Sequence, residues 1–164
     1  MGCDIHFFTE RKTSDNNYQG PKDLSEDRNT KIEEIIDGRP VTERWVSADT
    51  WMKDGDGWNY NELYWERNYY LFSILADVRN DGNVKPISQE RGIPKDASSG
   101  YLYMTKRWEG DAHSHSYFTL KELMEVDWNK YETQYLNNFI NVIGNLSSID
   151  TDPEKVRICF FFDN

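Results

Sequence analysis

The sequence predicts a single α+β domain with a small, mainly antiparallel sheet that includes a strand at each end of the chain. We expect about three helices and a long central loop between those strands. Side chains alternate between two faces over residues 4–10, and residues 156–162 form a short apolar run; both patterns are typical of strands. A capping box and stripes of apolar residues at helical spacing lie between them. A length of 164 residues suits one domain spanning 1–164.

The first predicted strand covers residues 4–10. Alternation places one set of side chains, Asp4, His6 and Phe8, on one face, and a second set, Ile5, Phe7 and Thr9, on the other. Residues 13–31 are polar and rich in turn formers, so we expect a surface loop or a disordered excursion there. A second pair of strands is expected over residues 32–52, with a break at 37–40.

The first predicted helix follows Asn68, which is a suitable N-cap. Four apolar residues then recur at the spacing of a buried stripe: Leu71, Ile74, Leu75 and Val78. Beyond this helix, residues 79–101 carry many turn formers and little periodicity. A long irregular stretch inside a compact domain is usually functional when it is ordered. We therefore expect functional residues in this loop.

The C-terminal third contains two predicted helices and a strand. Thr119 and Glu122 form a capping box that opens a short helix over 120–126. A longer helix is expected over 130–145. The closing strand, 156–162, is apolar on both faces, which is typical of a strand inside a sheet. We expect it to lie beside the first strand.

The composition is acidic and aromatic. The chain has 19 basic and 29 acidic residues, a net charge of −10. Its six Trp, ten Tyr and eight Phe can bury enough area to form a core, which argues against disorder. No apolar run is long enough for a membrane helix, and the first residues do not resemble a signal peptide. Two cysteines, Cys3 and Cys159, predict no disulfide framework, so we expect reduced thiols in the cytoplasm.

The charge is unevenly distributed along the chain. Residues 67–107 hold 7 basic and 4 acidic side chains, whereas both flanking segments are acidic. Overall acidity argues against binding of extended nucleic acid, because phosphate neutralisation requires clustered Lys and Arg. A short basic segment is compatible with a pocket for a small anion. A solvated basic face with no ligand is the alternative interpretation.

Basic and aromatic residues together form the candidate ligand site. We assign phosphate contacts, stacking and hydrogen bonding to eight residues: Arg67, Arg79, Arg91 and Lys95 for phosphate, Tyr69 and Trp108 for stacking, and His113 and Ser116 as donors. Such a site requires no cofactor, and we assign no catalytic residue to it. The alternative is that the aromatic residues form core and the basic residues pair with the acidic surplus.

A second hypothesis is a metal site. All three histidines lie in two short motifs that together offer five ligands: Asp4, His6, Asp111, His113 and His115. If the second motif is extended, its three ligands point to one side. This set could hold zinc or manganese and activate a water for hydrolysis. The alternative makes His6 a hydrogen-bonded core residue and makes Ser116 and Thr119 part of a helix cap.

Five segments of the sequence resemble an uncharacterised family of small bacteriophage and prophage proteins. They are MGCDIH at 1–6, RNYYLFSILADVRN at 67–80, RGIP at 91–94, DAHSHSYFTLKEL at 111–123 and VRICFFFDN at 156–164. The resemblance carries over no activity. It implies an accessory phage protein that acts in the cytoplasm of the bacterial host.

Our leading functional prediction is therefore a protein that sequesters a small phosphorylated or nucleotide-derived ligand without turnover. Small phage proteins often act against host defence, so the ligand could be a host immune signal; this is an argument by analogy. We expect a homo-oligomer with no membrane partner. The alternatives are a metal-dependent hydrolase or phosphoesterase that uses the Asp-x-His motifs, and an acidic inhibitor that binds a host protein.

Overall fold

The computed structural model describes residues 2–15, 17–22, 33–36 and 39–164. Over these residues the chain forms an α+β domain. Its strands are β1 (Asp4–Thr13), β2 (Glu33–Ile36), β3 (Arg39–Thr42), β4 (Arg44–Ser47), β5 (Trp51–Asp54), β6 (Gly57–Tyr60), β7 (His113–Thr119) and β8 (Val156–Asp163). Its α-helices are α1 (Tyr69–Ala76), α2 (Ser99–Arg107), α3 (Leu120–Glu125) and α4 (Asn137–Leu146). The predicted fold class is confirmed.

The main sheet has four antiparallel strands in the order β4-β1-β8-β7. Its two central strands are β1 and β8, paired from Asp4 opposite Asp163 to Arg11 opposite Val156. The prediction that the strands at the two ends of the chain are neighbours is therefore confirmed. Two separate hairpins, β2–β3 and β5–β6, complete the strand pairing of the described residues.

One face of the main sheet, called here the apolar face, packs against helices. Its central side chains are all buried: Ile5, Phe7, Ile158, Phe160 and Phe162. Helices α1, α3 and α4 cover this face with a continuous apolar cluster. Burial of large side chains here provides the main hydrophobic stabilisation of the fold.

The opposite face of the sheet, called here the mixed face, carries both rings and charges. Phe8 and Phe161 pack against α2 and the β5–β6 hairpin. Beside them lie Glu10 and Arg157, whose exposed fractions are 0% and 4%. Fully buried charges are rare unless they are paired, so the contacts of these two residues determine how the face is built.

Glu10 is the centre of a buried network on the mixed face. Its carboxylate accepts hydrogen bonds from Arg157 Nε, from the backbone N–H of Ser98 at 2.7 Å and from the Cys159 thiol at 3.2 Å. Arg157 Nη1 also donates to Asp96 at 2.8 Å. Burial raises the pKa of Cys159 well above its usual value, and the nearby Glu10 adds to the effect. Cys159 is therefore a buried neutral thiol.

Both predicted helix caps are confirmed. Asn68 accepts a hydrogen bond from the backbone N–H of Leu71 at 3.1 Å, and Thr119 forms a full capping box with Glu122. Helix α1 ends at Ala76, because Asp77 adopts a left-handed conformation with φ of 59°.

Two predictions about helices were wrong. The chain before α4 forms two 3-10 turns, Trp128–Lys130 and Thr133–Tyr135, instead of the start of one long helix. Helix α2 begins inside the stretch predicted to be irregular, with Ser98 as its N-cap. The sequence of this helix is mostly polar, and its buried residues are Gly100, Tyr101 and Met104. It therefore has no apolar stripe from which a helix could be predicted.

The polar stretch predicted as a surface loop is partly buried. Gly20 and Pro21 are buried, and the Tyr18 hydroxyl is a buried group without a hydrogen-bond partner among the described residues. Residues 16 and 23–31 of that prediction lie outside the described residues, as do residues 37–38 of the predicted strand break. Within the described ranges, no helix is long and apolar enough to cross a membrane.

Candidate functional site

Two concave regions flank the end of the sheet where Asp4 pairs with Asp163. The larger one, called here the tyrosine groove, has a volume of about 670 Å³. It lies between α1, the turns that follow α1 and the 3-10 turns before α4. Three tyrosines and three cationic residues line it: Tyr69, Tyr70, Tyr131, Arg79, Lys85 and Lys130.

Hydrogen bonds between separate segments hold the walls of the tyrosine groove in place. The Tyr131 hydroxyl donates to the carbonyl of Lys85 at 2.8 Å. The backbone N–H of Glu132 donates to the Tyr70 hydroxyl at 2.9 Å. Asn68, the cap of α1, donates to the carbonyl of Tyr135 at 2.7 Å. The groove is therefore preformed by contacts between α1, the irregular loop and the turns before α4.

The cations of the groove differ in their surroundings. Arg79 stands in a left-handed conformation with φ of 55°, and its guanidinium lies 5.6 Å from the ring centre of Tyr69. Arg79 Nη2 also donates to Asn164 at 3.3 Å. Lys85 and Lys130 are exposed, and no carboxylate of the described residues lies within 4.0 Å of either ammonium. Asp81 and Glu132 also line the groove, so cations outnumber carboxylates there.

Two of the arginines that were predicted to bind phosphate form ion pairs with carboxylates of the protein instead. Arg67 binds both oxygens of Asp4 at 2.8 Å, and this hydrogen bonding lowers the pKa of Asp4. Arg91 binds both oxygens of Glu122, at 3.0 and 2.6 Å. A guanidinium fork paired in this way has fewer donors left for phosphate. Lys95 is exposed but does not line the groove.

The remaining predicted ligand residues are dispersed. Trp108 packs against His6 with ring centres 4.5 Å apart, outside the tyrosine groove. Ser116 is fully buried and accepts the backbone N–H of Arg91 at 3.1 Å. His113 packs against Phe162. Of the predicted set, the groove brings together Tyr69 and Arg79.

Sequence reasoning missed the other groove residues because they come from distant segments. Lys130 and Tyr131 belong to an acidic part of the sequence that has no local sign of a site. Lys85 belongs to the predicted basic segment but is not one of the eight residues to which the prediction assigns a ligand contact. That neither lysine is paired with a carboxylate of the described residues depends on tertiary structure, which no local pattern reveals.

A bulge in β7 separates the histidines of the second motif. Ser114 has a φ of 54°, and the pairing with β8 shifts between His113, opposite Phe162, and Ser116, opposite Phe160. His113 therefore lies on the apolar face, whereas His115 packs against Phe161 on the mixed face. The expectation that this motif directs its ligands to one side is wrong, because a bulge adds one residue and reverses the alternation.

The candidate metal ligands have other partners. Asp4 is bound by Arg67, and His6 Nε2 lies 2.8 Å from Asp163. His115 Nδ1 lies 3.1 Å from the Tyr101 hydroxyl, and burial lowers the pKa of this histidine. Asp111 is exposed. Among the residues that the structure describes, no three His, Cys, Asp or Glu side chains are placed to hold a metal ion.

The second concave region, called here the histidine pocket, has a volume of about 400 Å³. The residues that define it are His6, Asn61, Glu62, Trp65, Arg107 and Trp108. His6 lies between two carboxylates, with Nε2 on Asp163 and Nδ1 3.7 Å from Glu62. The Tyr60 hydroxyl donates to Glu62 at 2.6 Å, and burial raises the pKa of that carboxyl.

Comparison of the chain with family models, curated proteins and solved structures finds no match. The two concave regions are therefore the features from which we infer a function. The resemblance to small phage proteins stays a prediction.

Proposed function

We propose that the protein binds a small phosphorylated or nucleotide-derived ligand in the tyrosine groove and does not turn it over. One observation carries this proposal: Arg79, Lys85 and Lys130 converge with three tyrosines in a groove of about 670 Å³. That volume falls within the range of about 300–1,000 Å³ that is typical of small-molecule sites.

The groove offers complementary groups for the two parts of such a ligand. Ammonium groups attract phosphate oxygens as point charges, and Lys85 and Lys130 have no carboxylate of the described residues within ion-pair distance. Tyrosine rings offer flat faces for a base, as in proteins that bind single-stranded nucleic acid. The guanidinium of Arg79 lies over the ring of Tyr69, 5.6 Å from its centre, and adds a cation to the groove next to the other two rings. A phosphate joined to a planar ring fits this arrangement.

The chemistry of the lining residues favours binding without turnover. No histidine or cysteine lines the groove. Its serine, Ser73, donates to the carbonyl oxygens of Tyr69 at 2.8 Å and Val78 at 3.3 Å, so its hydroxyl is engaged with the backbone of α1 and the turn after it. A nucleophilic hydroxyl needs an adjacent general base, and Ser73 instead donates to backbone carbonyls.

The proposed biological role is sequestration of a host immune signal by a phage accessory protein in the bacterial cytoplasm. The five segments that resemble phage proteins support this proposal, and one of them, residues 67–80, contributes Tyr69 and Arg79 to the groove. Nucleotide messengers carry phosphate and a base, which are the two groups that the groove is suited to bind.

Calorimetric titration with cyclic nucleotides and with ADP-ribose tests the binding proposal. We expect at least one of these ligands to bind, and we expect Lys85→Glu and Lys130→Glu each to weaken binding by about tenfold or more, since each places a negative charge beside the phosphate. Lys95→Glu is the matched control, because Lys95 is also exposed but lies outside the groove. It should bind like the unmodified protein.

Heat release of the bound ligand followed by chromatography tests the absence of turnover. Ligand recovered unchanged after long incubation agrees with sequestration, whereas recovery of an altered ligand contradicts it. If none of the ligands binds, or if Lys95→Glu weakens binding as much as the two groove variants, the groove is not the site.

A further inference from the structure

We propose that the histidine pocket is a second binding site, for a neutral ring with several hydroxyl groups, such as a pyranose sugar or the ribose of a nucleoside. This inference is independent of the phosphate-binding role of the tyrosine groove. It depends on three features of the pocket: the carboxylate of Glu62 in its lining, its hydrogen-bonding groups and its exposed indole.

The carboxylate of Glu62 in the lining of the pocket disfavours phosphate. Glu62 lies 3.7 Å from His6 Nδ1, and a second carboxylate, Asp163, lies 2.8 Å from His6 Nε2 without lining the pocket. Arg107 is the cation among its lining residues, and its Nη1 donates to the Trp58 carbonyl at 3.0 Å and to Asn59 at 3.4 Å. An anion here would meet Glu62 at close range, whereas a neutral ligand would not be repelled.

The polar groups of the pocket are held in fixed positions. Tyr60 donates to Glu62 Oε1 at 2.6 Å, and the ring of Tyr60 is itself stacked on Phe8 at 4.6 Å. A carboxylate has about four acceptor sites, so Glu62 can still accept hydrogen bonds from two neighbouring hydroxyls. The exposed amide of Asn61 lines the same pocket and can both donate and accept. Preorganised groups of this kind favour binding because little order is lost.

An exposed tryptophan borders these polar groups. The exposed fraction of Trp65 is 68%, which is high for so large an apolar side chain. The face of an indole carries partial negative charge and attracts the weakly positive C–H groups of a sugar ring. The second indole of the lining, Trp108, packs against His6 with ring centres 4.5 Å apart. A ring with one apolar face and hydroxyl edges can therefore contact Trp65 and Glu62 together.

Saturation-transfer NMR tests the proposal with three probes: methyl glucoside, ribose and adenosine, each at about 10 mM, a concentration at which a ligand of millimolar Kd fills the site. We expect saturation transfer to at least one probe. A response to the glucoside alone identifies a pyranose site, and a response to ribose and adenosine identifies a nucleoside site. Methyl glucoside and ribose carry neither phosphate nor a base, so their signals do not depend on the tyrosine groove. The adenosine signal counts for the histidine pocket when Trp65→Ala removes it.

Two variants and two controls locate the binding. We expect Trp65→Ala to abolish the signal and Glu62→Gln to weaken binding about tenfold, since it leaves one amide oxygen where two carboxylate oxygens accept. Leu63→Ala is the matched control, because Leu63 is 44% exposed and lies beside both residues without lining the pocket. Lys130→Glu, in the groove, should have no effect. The absence of transfer to all three probes, or unchanged binding by Trp65→Ala and Glu62→Gln, would overturn the proposal.

Discussion

The two faces of the central sheet are stabilised by different interactions, although they are formed by alternate residues of the same two strands. The apolar face is covered by helices and is buried through Ile158, Phe160 and their neighbours. The mixed face buries Glu10 and Arg157 among rings. The free energy of unfolding should thus depend on side-chain volume on the apolar face and on ionisation on the mixed face. Substitutions at the adjacent β8 residues Arg157 and Ile158, which lie on opposite faces, can measure the two contributions separately.

The largest expected effect is the loss of a buried charge partner on the mixed face. Arg157→Met removes the guanidinium and leaves the carboxylate of Glu10, which has an exposed fraction of 0%, without a cation. An uncompensated buried charge costs about 3–5 kcal/mol. We expect the free energy of unfolding in urea at neutral pH to fall by about that amount.

A second substitution distinguishes charge from packing at this site. Gln at position 10 is neutral and can still accept the N–H of Ser98, which Glu10 accepts at 2.7 Å. The double variant Glu10→Gln, Arg157→Met should therefore recover more than half of the lost stability. If the double variant is as unstable as Arg157→Met, lost packing of Arg157 against Trp45, 4.1 Å away, accounts for the effect instead.

The next effect is a pH dependence caused by Asp49, which lies near Glu10. Burial raises the pKa of Asp49 from 3.8 to about 7, although hydrogen bonds from Thr9 oppose the shift. The folded protein thus binds the proton more tightly than the unfolded chain does. This contribution to stability is complete below pH 3.8 and is lost as the pH rises through about 7.

Asp49→Asn tests this contribution. Asparagine stays neutral at every pH, and its amide can keep contacts with Thr9. Linkage of the pKa to stability gives the expected size: relative to the unmodified protein, the free energy of unfolding of the variant should rise by about 2.5 kcal/mol between pH 5 and pH 8. The measurement is urea unfolding at both pH values. Parallel stability curves for the two proteins would show that Asp49 does not titrate in this range.

The smallest effect is expected from a volume change on the apolar face. Ile158→Val removes one methylene group from a residue with an exposed fraction of 0%. Such a change costs about 0.5–1.5 kcal/mol. The loss should be the same at pH 5 and pH 8, in contrast to Asp49→Asn, because no titratable group is altered. A loss that varies with pH would mean that the two faces are energetically coupled.

Local sequence signals predicted much of the fold. Asn68 and Thr119 begin helices where their side chains can accept backbone N–H groups, and a cap acts within one turn. The apolar run 156–162 forms an inner strand of the sheet, because the apolar side chains on both of its faces must be buried by other elements. Helix α2 was missed because it buries few residues and gives almost no periodic signal. Its position is determined by packing against Trp51 and Phe161.

The site was less predictable because pairing between distant residues decides which cations can bind a ligand. Arg67 and Arg91 were reasonable phosphate ligands by composition, but Asp4 and Glu122 neutralise them across 63 and 31 positions of sequence. The bulge at Ser114 is equally hidden, since serine has no special preference for a positive φ. Both features depend on the tertiary fold, which local patterns do not specify.

The pairing of β1 with β8 has a consequence for how the protein is made. Contacts such as that between Asp4 and Asp163 join residues 159 positions apart, so the centre of the sheet cannot form until the last strand has left the ribosome. Because synthesis adds about 5–20 residues per second, the apolar side chains of β1 remain without their β8 partner for roughly ten seconds or more. We expect the nascent chain to depend on chaperones during that interval, and a chain that stops before residue 156 to aggregate.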